Sequence, residues 1–138
     1  MPEPGNVACL VDTGVLVDFL RGRSYTAELF RQIMKEGELA VSAITHAEVF
    51  AAVPSDAQEV TAQVLEGFIS YAVTPEIAQQ AGMLLNQARR RGEQAEFIDA
   101  VVAATALALD VPVITNQLAR YRFPGLNLLR GQTALRRV

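Results

Sequence analysis

The chain has 138 residues, of which 51% are hydrophobic and 20% charged, and it carries a net charge of −3 at neutral pH. That is enough chain for a compact core in a single domain over residues 1–138, and it excludes a disordered chain or one with an overall pull on nucleic acid. One cysteine, Cys9, and one histidine, His46, exclude an intrachain disulfide, a thiolate zinc site and a histidine-rich metal site.

The N-terminal MPEPGNVACLVDTG has no basic region ahead of its short apolar run, so it does not read as a signal peptide. No apolar run reaches the roughly 18 residues that a membrane span needs, and a cytoplasmic protein without membrane contact is expected. Residues 7–11, rich in β-formers and bounded by Gly5-Asn6 and Asp12-Thr13-Gly14, predict a buried first strand. Val15, Leu16, Phe19 and Leu20 then recur at helical spacing until Arg21-Gly22 stops them. A second helix is expected over 25–35, with Leu29, Phe30, Ile33 and Met34 as its apolar face, and a second strand over 39–42. A helix from 45 to 53 breaks at Pro54-Ser55, and another is expected from 56 to 69.

Residues 71–73 predict a third strand, and Thr74-Pro75 a helix start with proline in the first turn. That helix should run over 76–91 and end at Gly92. A helix over 97–109, rich in alanine and valine, predicts close packing in the interior, followed by strands at 111–115 and 127–129. Helices alternating with short apolar strands argue for an α/β fold: three layers, α/β/α, around a parallel sheet of four or five strands. In such sheets the working site lies beyond the carboxyl ends of the strands.

Asp12 follows the first strand directly. Thr45-His46-Ala47-Glu48 follows the second, Asp99 lies in the first turn of the late helix, and Thr115-Asn116-Gln117 follows the fourth strand. Three carboxylates that converge repel one another and call for a cation, and with no thiolate available the ligands are hard oxygens, suited to Mg²⁺ or Mn²⁺. Such an ion can activate water and neutralise a phosphodiester. Each acid also has a plain structural reading. Thr45-x-x-Glu48 has the spacing of a capping box, Asp99 can complement a helix dipole, and Asp12 can serve a turn. Asp18 reads as part of a solvated helix face, and His46 as a surface or cap residue. The Asp-Thr-Gly triplet of aspartic proteases needs two copies on an all-β scaffold, whereas here it occurs once and leads into a helix.

The charge distribution is uneven. Beyond residue 100 one acid, Asp110, faces five arginines at 120, 122, 130, 136 and 137, and Arg89-Arg90-Arg91 forms a further cluster. These either meet phosphate locally or cover a solvated helix end and tail. No Gly-rich phosphate loop is present in the sequence.

Taken together, four segments resemble the motifs of one family. Val11-Asp12-Thr13-Gly14-Val15-Leu16-Val17-Asp18-Phe19-Leu20-Arg21-Gly22 resembles the opening of PIN-domain ribonucleases, in particular VapC-type toxins of bacterial toxin–antitoxin pairs. Ser42 to Val49 is similar to their second motif, with its acid at Glu48, and Phe97 to Ala106 to their third, with Asp99. Val113-Ile114-Thr115-Asn116-Gln117, followed by Tyr121 and Pro124-Gly125-Leu126, is similar to the fourth. The resemblance implies metal-dependent endonucleolytic cleavage of RNA with Asp12, Glu48 and Asp99 as catalytic metal ligands for Mg²⁺ or Mn²⁺. It also implies an antitoxin partner and a homodimer. Thr13, Thr115, Asn116 and Gln117 are its auxiliary candidates. The chain departs from the family in the fourth motif, where Gln117 and Arg120 stand at positions that often hold acids. Gln117 brings no charge, which predicts weaker binding of a second metal. Arg120 and Arg122 become candidate contacts to the RNA backbone. The alternative that this departure keeps open is a PIN-like domain without catalysis, working through its protein partner.

Overall fold

The structure, a computed structural model, describes residues 6–131. The first five residues and the tail with Arg136 and Arg137 lie outside that range. In chain order the elements are β1 (Val7–Val11), α1 (Thr13–Leu20), α2 (Ser24–Ile33), β2 (Glu38–Ser42), α3 (Ala43–Ala52), α4 (Gln58–Leu65), β3 (Ile69–Tyr71), α5 (Pro75–Arg90), α6 (Phe97–Leu109), β4 (Val113–Thr115) and β5 (Leu128–Arg130). Short 3-10 turns stand at Ser55–Ala57 and Leu118–Tyr121.

The five strands form one sheet in the order β3-β2-β1-β4-β5, and every neighbouring pair is parallel. Side chains alternate across it, as the two-residue strand period requires. Leu10, Ala40, Val113 and Leu128 point into a core shared with α5 and α6, while Val11, Val41, Ile114 and Leu129 point into one shared with α1 to α4. Both faces are therefore covered, which is why these strands read as unbroken apolar runs. A register shift between Val7 and Cys9 interrupts the alternation in β1, so Ala8 and Cys9 both pack on the α1–α4 side. Cys9 is fully buried, and burial pushes its thiol up to about 12, the state of a small inert hydrophobe.

Helix ends follow their sequence signals. Thr74 caps α5, its Oγ1 accepting from Ile77 N at 3.2 Å, and Pro75 occupies the first turn. At the other end Gly92 takes a left-handed φ of 75°, and Glu93 N–H returns to Ala88 O at 3.0 Å, the closing bond of a glycine-terminated helix. The expected third strand at 71–73 lies two residues earlier, at Ile69–Tyr71, because Ala40, Val41 and Ser42 of β2 offer their partners there. The expected helix over 56–69 is shorter, since a 3-10 turn precedes it and residues 66–68 turn into β3.

Candidate functional site

Residues at the carboxyl ends of β1, β2 and β4, together with the first turn of α6, meet at one edge of the sheet. Asp12 ends β1 and serves as the N-cap of α1. Its backbone N–H donates to Ile114 O at 3.0 Å, which ties it to β4. Its carboxylate is buried and accepts three hydrogen bonds: from Thr13 N at 2.9 Å, from Thr115 Oγ1 at 2.8 Å and from the Tyr121 hydroxyl at 2.6 Å. A buried carboxylate needs such donors, because losing water costs several kcal/mol unless hydrogen bonds replace it. Burial and the charge of Asp12 together push the Tyr121 hydroxyl far above its usual range, so it stays a donor.

Glu48 reaches the same place from α3. Helix α3 begins at Ala43, with Ser42 as its cap accepting from Ile44 N at 3.2 Å. Thr45 is thus inside the helix, buried, with its hydroxyl unpartnered by protein. The capping box expected at Thr45 and Glu48 does not form. Glu48 Oε1 instead accepts from Thr13 Oγ1 at 2.5 Å. Thr13 therefore links the two acids, its N–H on Asp12 and its hydroxyl on Glu48.

Asp99 lies in the first turn of α6, buried to 1% exposure. Burial raises its carboxyl above the ordinary value, and the neighbouring charges of Asp12 and Glu48 push the same way, while Arg120 acts against them. The guanidinium of Arg120 forks onto both oxygens, Nε at 2.9 Å and Nη2 at 2.6 Å, and its Nη1 donates to Gln117 Oε1 at 2.7 Å. Gln117 N–H donates to Thr115 Oγ1 at 2.9 Å, so the turn after β4 links Arg120, Thr115 and Asp12 in one chain of bonds.

Asn116 does not join the three acids. Its Nδ2 donates to Asp18 Oδ2 at 3.2 Å, which also accepts from the Tyr25 hydroxyl at 3.0 Å. Asp18 is half-buried, and both of its bonds lie at the exposed surface, as the expected solvated helix face allows. Gly131 permits this, because a Cβ there would collide with Asn116 Oδ1. His46 pairs with Ser70 Oγ at 2.8 Å, away from the acids. Arg122 is exposed and lines a cavity of about 430 Å³ beside Asp99, together with Glu93, Glu96 and Arg120.

The donors are oxygens throughout, which suits a hard divalent cation. Among the described residues no three acidic, histidine or cysteine side chains gather tightly enough to cage an ion. The set therefore fits a cation held by one or two carboxylates and completed by water, the usual habit of Mg²⁺.

The sequence reading missed Tyr121 as a partner of Asp12 and Arg120 as a partner of Asp99. A buried tyrosine needs a hydrogen-bond partner, but with Arg120 and Arg122 on either side the sequence carries no signal that Tyr121 is buried.

Similarity to known proteins extends over most of the chain. The PIN domain family model matches residues 9–122. Ribonuclease VapC19 of Mycobacterium tuberculosis is 32% identical over 123 residues, covering 85% of this chain and 95% of that protein. Ribonuclease VapC10 of the same organism is 29% identical over 126 residues, covering 91% and 93%. Among solved structures, VapBC2 from Rickettsia felis, bound to a DNA fragment from its promoter, superposes with a TM-score of 0.78 at 16% identity, covering 90% of this chain and 98% of that one. DNA-bound VapBC from Salmonella typhimurium gives 0.75 at 22% identity, covering 91% and 98%. At those identities the structural likeness is one of fold, and it is the three-layer α/β/α fold expected from the sequence.

Proposed function

The chain belongs to the PIN-domain family, and on that premise we propose that it is a ribonuclease, the toxin of a toxin–antitoxin pair. The observation that carries this reading is the meeting of Asp12, Glu48 and Asp99 at one sheet edge, near enough that the first two raise the carboxyl of the third. Asp12 and Asp99 are buried and Glu48 half-buried, and carboxylates brought this close repel one another, a repulsion that a bound cation or protonation relieves. The relatives named ribonucleases VapC19 and VapC10 cover nearly the whole chain and support the same reaction. The non-catalytic alternative has less support, since all three acids are present.

The reaction is hydrolysis of an RNA phosphodiester. A divalent cation, Mg²⁺ or Mn²⁺, would be held by one or two of the candidate ligands Asp12, Glu48 and Asp99 with water completing its shell, and when bound it supplies a Lewis acid that neutralises phosphate and acidifies water. The chain's own residues hold those acids in place. Thr115, Tyr121 and Thr13 fix the Asp12 carboxylate, and Thr13 orients Glu48. Arg122, exposed beside the cavity, offers a fork for the RNA backbone.

The partner is an antitoxin. Between α2 and α4 runs an apolar hollow of about 500 Å³ lined by Phe19, Phe30, Met34, Val64 and Phe68, with Met34 56% exposed. It suits the apolar face of an antitoxin helix. One solved structure of the same fold is a toxin–antitoxin complex from Klebsiella pneumoniae, with a TM-score of 0.71 at 24% identity. A homodimer, a single domain and action in the cytoplasm complete the reading. No helix among the described residues is long and apolar enough to cross a membrane.

Induction of the chain in a bacterial host lacking the antitoxin tests this directly. Growth should halt with the wild type and continue with Asp12→Ala at equal protein level. Equal growth of the two would refute the toxin reading.

A further inference from the structure

Both oxygens of Asp99 are already occupied by a cation of the chain itself. Arg120 holds them in a two-bond fork at 2.9 and 2.6 Å. The Asp99 side chain is 2% exposed and that of Arg120 40%, so the guanidinium closes the acid off from solvent. A divalent cation at Asp99 needs the same oxygens, and two cations on one buried carboxylate repel each other.

We propose that Arg120 is a displaceable resident cation that competes with the divalent metal for Asp99, leaving only when an RNA phosphate gives it another partner. The inference rests on the metal-dependent ribonuclease reading above. It makes Arg120 a positioning residue that couples metal loading to substrate arrival.

Three features of the site carry it. The first is geometric: a phosphate presents paired oxygens to a guanidinium fork much as a carboxylate does, so the exchange keeps the hydrogen bonds. The second is freedom to move. Arg120, within the short 3-10 turn, and its remaining partner Gln117, just before it, are both exposed, whereas the next residue, Tyr121, is buried and fixed on Asp12. The Arg120 side chain can therefore swing by giving up its bond to the Gln117 side chain, while the Gln117 backbone stays on Thr115 and Asp12 keeps all three of its donors. The third is room to receive it. The cavity beside Asp99 is lined by Arg120 and Arg122, and of its two glutamates Glu93 is already paired with Arg91 at 2.9 Å, so a phosphate entering there is the partner that a released guanidinium meets.

The experiment is a Mn²⁺ titration of the antitoxin-free protein, followed by the electron paramagnetic resonance signal of free Mn²⁺, for the wild type, Arg120→Ala and Gln117→Ala. Arg120→Ala should bind Mn²⁺ about tenfold more tightly or better, the change expected when a competing charge-assisted hydrogen bond is removed. Gln117→Ala, which frees only one guanidinium nitrogen, should shift the affinity the same way by less. Circular dichroism melts check folding, and Arg120→Gln, which keeps the length of the side chain without its charge, replaces Arg120→Ala if that variant does not fold. Unchanged or weaker Mn²⁺ binding in a folded Arg120 variant overturns the proposal and leaves the ribonuclease reading standing. Absence of Mn²⁺ binding by every form, wild type included, overturns the metal reading and this inference with it.

Discussion

Replacing Tyr121 by phenylalanine removes one oxygen atom from the buried centre of the site. The ring is 2% exposed and stays in place, so no cavity larger than a hydroxyl is made. What is lost is the 2.6 Å bond to Asp12 Oδ1. Asp12 retains Thr13 N and Thr115 Oγ1, but its carboxylate is buried and cannot recruit water freely. A hydrogen bond to a charged group contributes about 1.5–3 kcal/mol. For a domain of this size that lowers the melting temperature by roughly 5–10 °C. Because the bond orients a proposed metal ligand, Mn²⁺ affinity should also fall by about 10–100-fold, the usual effect of losing a ligand's supporting hydrogen bond. Differential scanning calorimetry in chelator gives the first quantity, and calorimetric Mn²⁺ titration the second. A variant that melts with the wild type and binds Mn²⁺ equally well would refute the assignment of Tyr121 as the support of Asp12.

Further expectations concern other contacts. Thr13→Val removes the hydroxyl that holds Glu48 and should lower RNA cleavage about tenfold, with Thr13→Ser restoring most of it. Asp99 has its carboxyl raised above the ordinary 3.8 by burial, so folding favours its neutral form, and its contribution to stability is lost as the pH rises through the raised value. Asp99→Asn also gives up the Arg120 fork, so the quantity to read is the change with pH: the metal-free wild type should lose melting temperature relative to Asp99→Asn as the pH rises from 3.8 to 7. The same difference at both pH values would contradict that. Met34→Glu, on the rim of the apolar hollow, should leave the melting temperature nearly unchanged and weaken the antitoxin complex by about tenfold or more, read by surface plasmon resonance.

Much of the frame was legible in the sequence because the sheet is covered on both faces. Strands buried on two sides must be apolar throughout, so β1 and β2 stand out as short runs ended by polar residues, and their ends pointed to Asp12 and Glu48. The strand period did not place β3, whose three residues are set by pairing with β2 rather than by their own pattern. At the start of α3, Ser42 and Thr45 are both competent caps by sequence. The end of β2 decides between them, since the chain leaves the sheet at Ser42 and the helix starts at once. Glu48 is thereby free of a capping duty and available to Thr13. The partners of Asp18, Tyr25 and Asn116, are not legible locally, because they come from different elements, one of them 98 residues away. Arg120 shows the same limit. Its position in the fourth motif was visible, but its partner depends on how the first turn of α6 faces the end of β4, which no local pattern encodes.

The decisive measurement is cleavage of a mixed cellular RNA pool by the purified, antitoxin-free protein in Mg²⁺, in Mn²⁺ and in chelator, beside an Asp12→Ala, Asp99→Ala double variant. If Asp12, Glu48 and Asp99 support RNA cleavage with a divalent metal, discrete fragments should form that require metal and are absent with the double variant. Intact RNA under every metal with a folded wild-type sample, or fragments that persist in chelator or with the double variant, would contradict it.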